Sequence, residues 1–152
     1  MNLAATPPLA PVALRRLVSW QANKVAVLGT RMTLQRMTPA DRSDYAVLAA
    51  LQEFGPLSQA EIGRRLGLDR NDVNVIVTRL EAGGCITRHS DPDDRRRNIV
   101  TASPRGRTRL SELQAHAEAV QADLLAALTA DEQEILVALL EKLLSGHGPL
   151  VA

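Results

Sequence analysis

Apolar side chains recur along most of this chain with the 3.6-residue period of helices, and only one short region is strand-like. Between residues 12 and 34, Leu14, Leu17, Val18, Val25, Leu28 and Met32 fall on one stripe, with Gln21 interrupting it and Trp20 beside it. A second helix is predicted from about Pro39 to Phe54, with Thr38 or Asp41 as its cap and Gly55-Pro56 as its stop. Ser58-Gln59-Ala60-Glu61 is a capping box, in which the serine hydroxyl and the glutamate satisfy free amides at a helix start. It opens a short helix, 59–66, that buries Ile62 and Leu66. Gly67-Leu68 makes a tight turn, and Asp69-Arg70-Asn71-Asp72 caps a further helix of about 70–82 that Gly83-Gly84 ends. Two short helices joined through a glycine-containing turn make a helix-turn-helix pattern.

The strand-like region follows directly. Cys85-Ile86-Thr87-Arg88-His89 and Asn98-Ile99-Val100-Thr101-Ala102 are β-compatible, and the charged, proline-containing turn from Ser90 to Arg97 joins them. A hairpin with a basic tip after a helix-turn-helix reads as a wing. Ser103-Pro104 supplies an N-cap and an N1 proline for a long helix. In it Leu110, Leu113, Ala117, Val120, Leu124 and Ala127 keep a 3-4-3-4-3 spacing, a coiled-coil-like seam. Thr129-Ala130-Asp131-Glu132 is another capping box, opening a last helix with Ile135, Leu136, Leu139, Leu140, Leu143 and Leu144. That stripe is wider than one partner needs, so it is expected to face both its own core and a second subunit. The predicted fold class is mainly α with a small β-hairpin wing. A single domain over residues 1–152 divides into a winged helix-turn-helix lobe, 39–102, and dimerisation helices, 12–34 and 104–145.

Composition narrows the function classes. Hydrophobic residues make up 45% of the chain but aromatics only 2%, so Leu, Val and Ala must build the core, which favours helices. No apolar run reaches membrane-spanning length, and residues 1–11 lack the basic start and apolar stretch of a signal peptide. The expectation is a cytoplasmic protein with no membrane partner. The single cysteine, Cys85, allows neither an intrachain disulfide nor a metal cluster. His89, His116 and His147 are scattered, and no G-x-S-x-G, H-E-x-x-H or glycine-rich phosphate loop occurs, so neither an enzyme nor a bound metal or cofactor is expected. The net charge of +1 hides an asymmetry: residues 58–110 carry eleven basic and seven acidic side chains, residues 111–152 one and seven. Basic charge confined to one part of a chain fits a polyanion partner, though a solvated surface with an acidic tail fits it too.

On a helical wheel of residues 70–82, Val73, Ile76, Val77 and Leu80 form the inward face. Asn71, Asn74, Val75 and Thr78 lie opposite, with Arg70 and Arg79 at the edges. Such a helix fits the DNA major groove, where Asn can pair with adenine and Val or the Thr methyl suits the thymine methyl. An ordinary solvated face has little use for Val75. The wing arginines suit a narrow minor groove: Arg95 or Arg96 would enter it, with Asp94 pairing a neighbouring arginine to shape the tip. Ser58, Arg64, Arg65, Arg88 and Arg97 are candidates for phosphate contacts, which position without reading sequence. One recognition helix reads only a few base pairs, so a homodimer on a palindrome is expected. A winged domain used only for protein contacts is the alternative.

The run LSQAEIGRRLGLDRNDVNVIVTRLEAGGCITRHSDPDDRRRNIVTASPRG resembles the core of the MarR family of transcriptional regulators. The similarity lies in the capped helix, a recognition helix ending in RLEAGG, the wing DPDDRRR at the expected distance, and a strand leading into a capped helix with Gly106; it extends over roughly residues 12–145. There are departures: Ala102-Ser103 stands where the family usually has Leu-Thr, the entry from Thr38 to Tyr45 is longer, and Cys85 replaces an aliphatic residue. The resemblance implies a DNA-binding repressor, released by a small aromatic or anionic effector held between the dimer helices and the DNA-binding lobe. Trp20, Gln21, Tyr45 and His116 are candidates for that pocket, with ordinary packing as the other reading of each. Peroxide-sensing members carry their reactive cysteine near the N-terminus, so Cys85 is expected to be an inert buried thiol.

Overall fold

A computed structural model describes residues 10–148; the rest of the N-terminal arm and residues 149–152 lie outside the described residues. The order is α1 (Val12–Arg15), α2 (Val18–Leu34), α3 (Pro39–Phe54), β1 (Leu57–Ser58), α4 (Gln59–Leu66), α5 (Arg70–Ala82), β2 (Ile86–Ser90), β3 (Asn98–Ala102), α6 (Pro104–Leu124) and α7 (Ala130–Ser145). Each helix from α3 onward starts where a short polar side chain takes up a free amide. Thr38, Ser58 and Thr129 form reciprocal capping boxes with Asp41, Glu61 and Glu132. Asp69 and Ser103 accept from the amides of Asp72 and Gly106. Gly67 ends α4 in the left-handed conformation, at φ +65°, which a side chain would strain.

The core fills the space between α3, α4, α5, the sheet and the first half of α6. Val47, Leu48 and Leu51 of α3 meet Ile62 of α4 and Val73, Ile76, Val77 and Leu80 of α5, closed off by Leu57, Ile86 and Val100 from the strands and Leu110 and Leu113 from α6. The three-stranded antiparallel sheet has the order β1-β3-β2, with Leu57 opposite Val100 on one side and Arg88 opposite Val100 on the other. β1 was absent from the expected hairpin: two residues carry no periodicity, and only pairing with Ile99 and Val100 makes them a strand. At Gly106 a side chain is excluded, since a Cβ there would lie 2.0 Å from the Cys85 carbonyl oxygen.

The structure corrects the terminal segments. The predicted helix 12–34 breaks at Arg16-Leu17, where Leu17 is extended and offers no capping side chain. Gln21, the residue that interrupts the stripe, donates instead from its amide to the Arg15 carbonyl at 2.8 Å and so spans the break. The α6 seam is used within the chain: Leu110, Leu113 and Val120 are buried as α6 packs on α2 and α3. Ala127 lies exposed, beyond the end of that helix. The last stripe was expected to serve two faces. On α7 no side chain is buried, and Ile135 and Leu139 are 58% and 59% exposed. Gln133 fastens the first turn of α7 to the turn that precedes it, donating to the carbonyls of Leu125 and Leu128.

Candidate nucleic-acid interface

The site is built on α5. Burial of Val73, Ile76, Val77 and Leu80 fixes the rotation of this helix, and the 3.6 period then leaves Asn71, Asn74, Val75 and Thr78 exposed on the far side. Val75 is 60% exposed. Arg70, in the first turn, is exposed beside them. A groove of about 1240 Å³ runs from this face to the wing; Arg64, Arg70, Asn71, Asn74, Arg96 and Arg97 are among its lining residues. Elements separated by some twenty residues of sequence are thus brought to one concave, cationic surface.

The wing is fastened to the start of α4 by charge. Arg97 lies 3.7 Å from Glu61 and 3.8 Å from Asp91. Hydrogen bonds from the Ser58 hydroxyl and amide hold the Glu61 carboxyl below its usual range against the opposing effect of burial, with Arg97 and Arg64 adding to the lowering. The carboxylate is therefore a dependable anchor for the wing arginine. Asn98 donates to the Gln59 side chain across the same gap at 3.4 Å. Asp94 shapes the tip, but by accepting from the Arg96 amide at 3.0 Å rather than by pairing with a guanidinium, because the turn leaves that amide free. Arg95 and Arg96 both project into solvent.

Other candidate residues turn out differently. Arg79 is not on the outward face: its guanidinium donates to Asp44 from Nε at 3.1 Å and Nη2 at 2.5 Å, and to the Ser43 hydroxyl at 2.9 Å. It holds α5 on α3. The sequence carried a signal for this partner, because Asp44 sits one turn before Val47 and Leu48 on the stripe that α3 buries. Ser58 is 2% exposed, its hydroxyl committed to the α4 cap, so it offers nothing to a phosphate. Arg88 is half-buried against Glu81 at 2.6 Å, and Arg65 lies over the Phe54 ring at 3.9 Å. Arg64 remains exposed at the groove.

The four effector candidates are not brought together around one cavity. Trp20 stacks under the Lys24 ammonium at 5.1 Å, and Gln21 bridges the α1–α2 break. Tyr45 packs against the core, and His116 is exposed on α6. Cys85 is buried just before β2.

With the geometry in place, comparisons with known proteins are decisive. Residues 37–97, from the start of α3 to the wing, match a model described as the MarR family. An HTH-type transcriptional repressor of Mycobacterium bovis is 30% identical over 100 residues, which cover 66% of this chain and 72% of that protein. The chain belongs to the MarR family. This is a family of transcriptional regulators rather than of enzymes. The MarR-type winged-helix architecture extends over the flanking helices. BpsR of Bordetella bronchiseptica, whose DNA binding is regulated by 6-hydroxynicotinic acid, superposes with a TM-score of 0.72 at 25% identity, covering 83% of this chain and 97% of its own. PcaV of Streptomyces coelicolor, solved with its natural ligand, gives 0.69 at 28% identity, covering 90% and 98%. No described helix of this MarR-family chain is long and apolar enough to cross a membrane.

Proposed function

We propose that this regulator is a homodimeric repressor that binds a palindromic operator in duplex DNA and is released by a small-molecule effector. The observation that carries the reading is the exposed Asn71, Asn74, Val75 and Thr78 face of α5, sharing one groove with Arg64, Arg70 and the wing. Asn71 and Asn74, with Arg70 beside them, read base edges in the major groove, Arg95 or Arg96 enters the flanking minor groove, and Arg64 holds a phosphate. The exposed apolar faces of α2 and α7 join two copies and set the spacing of the two recognition helices. Repression is supported by the Mycobacterium bovis relative, and an effector by BpsR.

Duplexes selected from a random pool test the reading, with fluorescence anisotropy across a salt series. Asn71→Ala or Asn74→Ala should cost about 1–3 kcal/mol at particular positions of each half-site. Arg95→Ala and Arg96→Ala, made singly, identify the minor-groove residue as the one whose loss weakens most duplexes. That variant should lose part of any preference for A·T-rich flanks and flatten the salt dependence, toward which each neutralised phosphate contributes about −0.9 in log–log slope. Equal losses on selected and scrambled duplexes, with unchanged slopes, would defeat this division of labour.

A further inference from the structure

β2 and β3 leave the lobe at one level, marked by a single cross-strand pair. Along β2 Ile86 is buried and Arg88 half-buried, while Thr87, His89 and Ser90 are exposed. On β3 Val100 is buried, and Asn98, two residues nearer the tip, is exposed. Arg88 stands opposite Val100. Side chains two apart share a face of a strand, so Ile86 and Arg88 face the helices, and Arg88 is the last of β2 to do so under cover. The tip, with Arg95 and Arg96, is carried beyond that level.

Two kinds of contact act there. Val100 belongs to the core, and apolar packing has no preferred direction. Arg88 donates to the Glu81 carboxylate at 2.6 Å, a charge-assisted bond that does have one. Glu81 lies in the last turn of α5, and the chain between the partners runs through Gly83 and Gly84, the latter at φ +72°. Backbone bonds from the Gly84 amide to the Glu81 carbonyl and from the Cys85 amide to the Leu80 carbonyl close this turn but reach no further along β2. The ion pair spans the glycine turn and joins the outer part of β2 to the recognition helix itself. The wing's tie from Arg97 to Glu61 is longer, at 3.7 Å, and reaches α4 rather than α5. A minor groove is about 6 Å wide, so a guanidinium entering it while α5 lies in the major groove must arrive at a set angle.

We propose that Glu81 and Arg88 are positioning residues of the interface: their bond sets the angle of the wing to α5. It thereby sets the spacing between the bases that Asn71 and Asn74 read and the flank that the wing arginine reads. The inference rests on the DNA-binding reading above. It takes the place of the phosphate contact expected of Arg88, whose guanidinium is already spent on a carboxylate.

The two roles give opposite signs for one variant. Glu81→Ala removes the carboxylate at a position 38% exposed, where alanine favours the helix. Were Arg88 a phosphate contact, this change would free it and tighten binding to every duplex. As a positioning pair, its loss should weaken binding to a selected duplex about threefold to tenfold, part of the loss expected when a charged contact is misplaced. Fluorescence anisotropy should also show the preference for A·T-rich over G·C flanks reduced, with discrimination at the half-site bases kept. Hydrogen exchange in the full chain without DNA should show faster exchange of β2 and β3 amides in Glu81→Ala, with α4 unchanged. Glu81→Arg combined with Arg88→Glu should restore both readouts, and Glu81→Ala decides by itself if that double variant does not fold. Tighter binding of Glu81→Ala to both duplexes, unchanged exchange in its strands, or a folded double variant that restores neither readout would overturn the proposal. A chain that binds no duplex would remove the DNA-binding reading instead, and the exchange measurement would still decide whether the pair holds the wing.

Discussion

The lobe formed by α3, α4, α5 and the sheet carries stripes of Val, Leu and Ile no denser than those on α2 and α7, yet the two regions end in opposite conditions. In the lobe, Val47, Ile62, Val77 and Val100 are fully buried. On the terminal helices Val18 is 66% exposed and Leu139 59%, with Val25, Ile135 and Leu143 close behind. A periodic stripe states that a helix has a face to remove from water; it does not state against what. The lobe is completed within the chain, whereas the terminal helices leave several large apolar side chains on one element in water, the kind of clustering that marks an interaction face. The functional surface follows the same division. Burial of one side of α5 sets which side is exposed, and on the proposed reading placing two such helices on one duplex requires the region that is not completed.

Breaking the unfinished region should have the largest effect. A charge at Leu139 or Leu143, as Leu139→Glu or Leu143→Glu, should convert a homodimer into monomer or aggregate by light scattering and abolish operator binding while the lobe stays folded by circular dichroism. A well-folded monomer in the unmodified protein would show that these faces need no second copy. Breaking the finished region should instead unfold it. Gly106→Ala forces a Cβ to within 2.0 Å of the Cys85 carbonyl, where no flexible side chain can yield. It should lose at least about 2–3 kcal/mol in denaturant unfolding, as overpacked cores do, with no specific change in the oligomeric state of the folded fraction.

A smaller effect sharpens the electrostatic tie between wing and lobe. The Glu61 carboxyl is held below its ordinary value of 4.5 by Ser58, with help from Arg97 and Arg64. A group whose folded pKa is depressed contributes stability that is complete above its unfolded pKa and lost as pH falls through the folded one. Glu61→Gln keeps the shape of the capping box without the charge. Its melting temperature should fall below that of the unmodified protein at pH 7, and the gap should close as pH drops through 4.5 and below. A gap independent of pH would show that the Glu61 charge does not hold this corner. The smallest effect belongs to Cys85. Buried and wedged between the α5 exit and α6, it should tolerate Cys85→Ser or Cys85→Ala with DNA affinity within a few-fold and any response to peroxide unchanged. Loss of a clear peroxide response in either variant would make the thiol a sensor.

Helix starts were legible in the sequence because a cap is a local event. Thr38, Ser58, Asp69, Ser103 and Thr129 each bond an amide three residues away, and no distant residue is needed for that exchange. The two faces of α5 were legible for a similar reason, since Val73, Ile76, Val77 and Leu80 define the inner one by spacing alone. Tertiary structure decided what those side chains meet. Arg79 lies at the edge of the wheel, and only the approach of α3 turns it toward Asp44 and away from the outward face. Leu57 and Ser58 become a strand only because β3 arrives beside them, and Ser58 is spent as a cap in a place where burial removes it from any partner in solvent. Periodicity and capping are set by residues within one or two turns, so a single chain of letters determines them; pairing across thirty or more residues depends on which elements pack together, and that is settled by the fold.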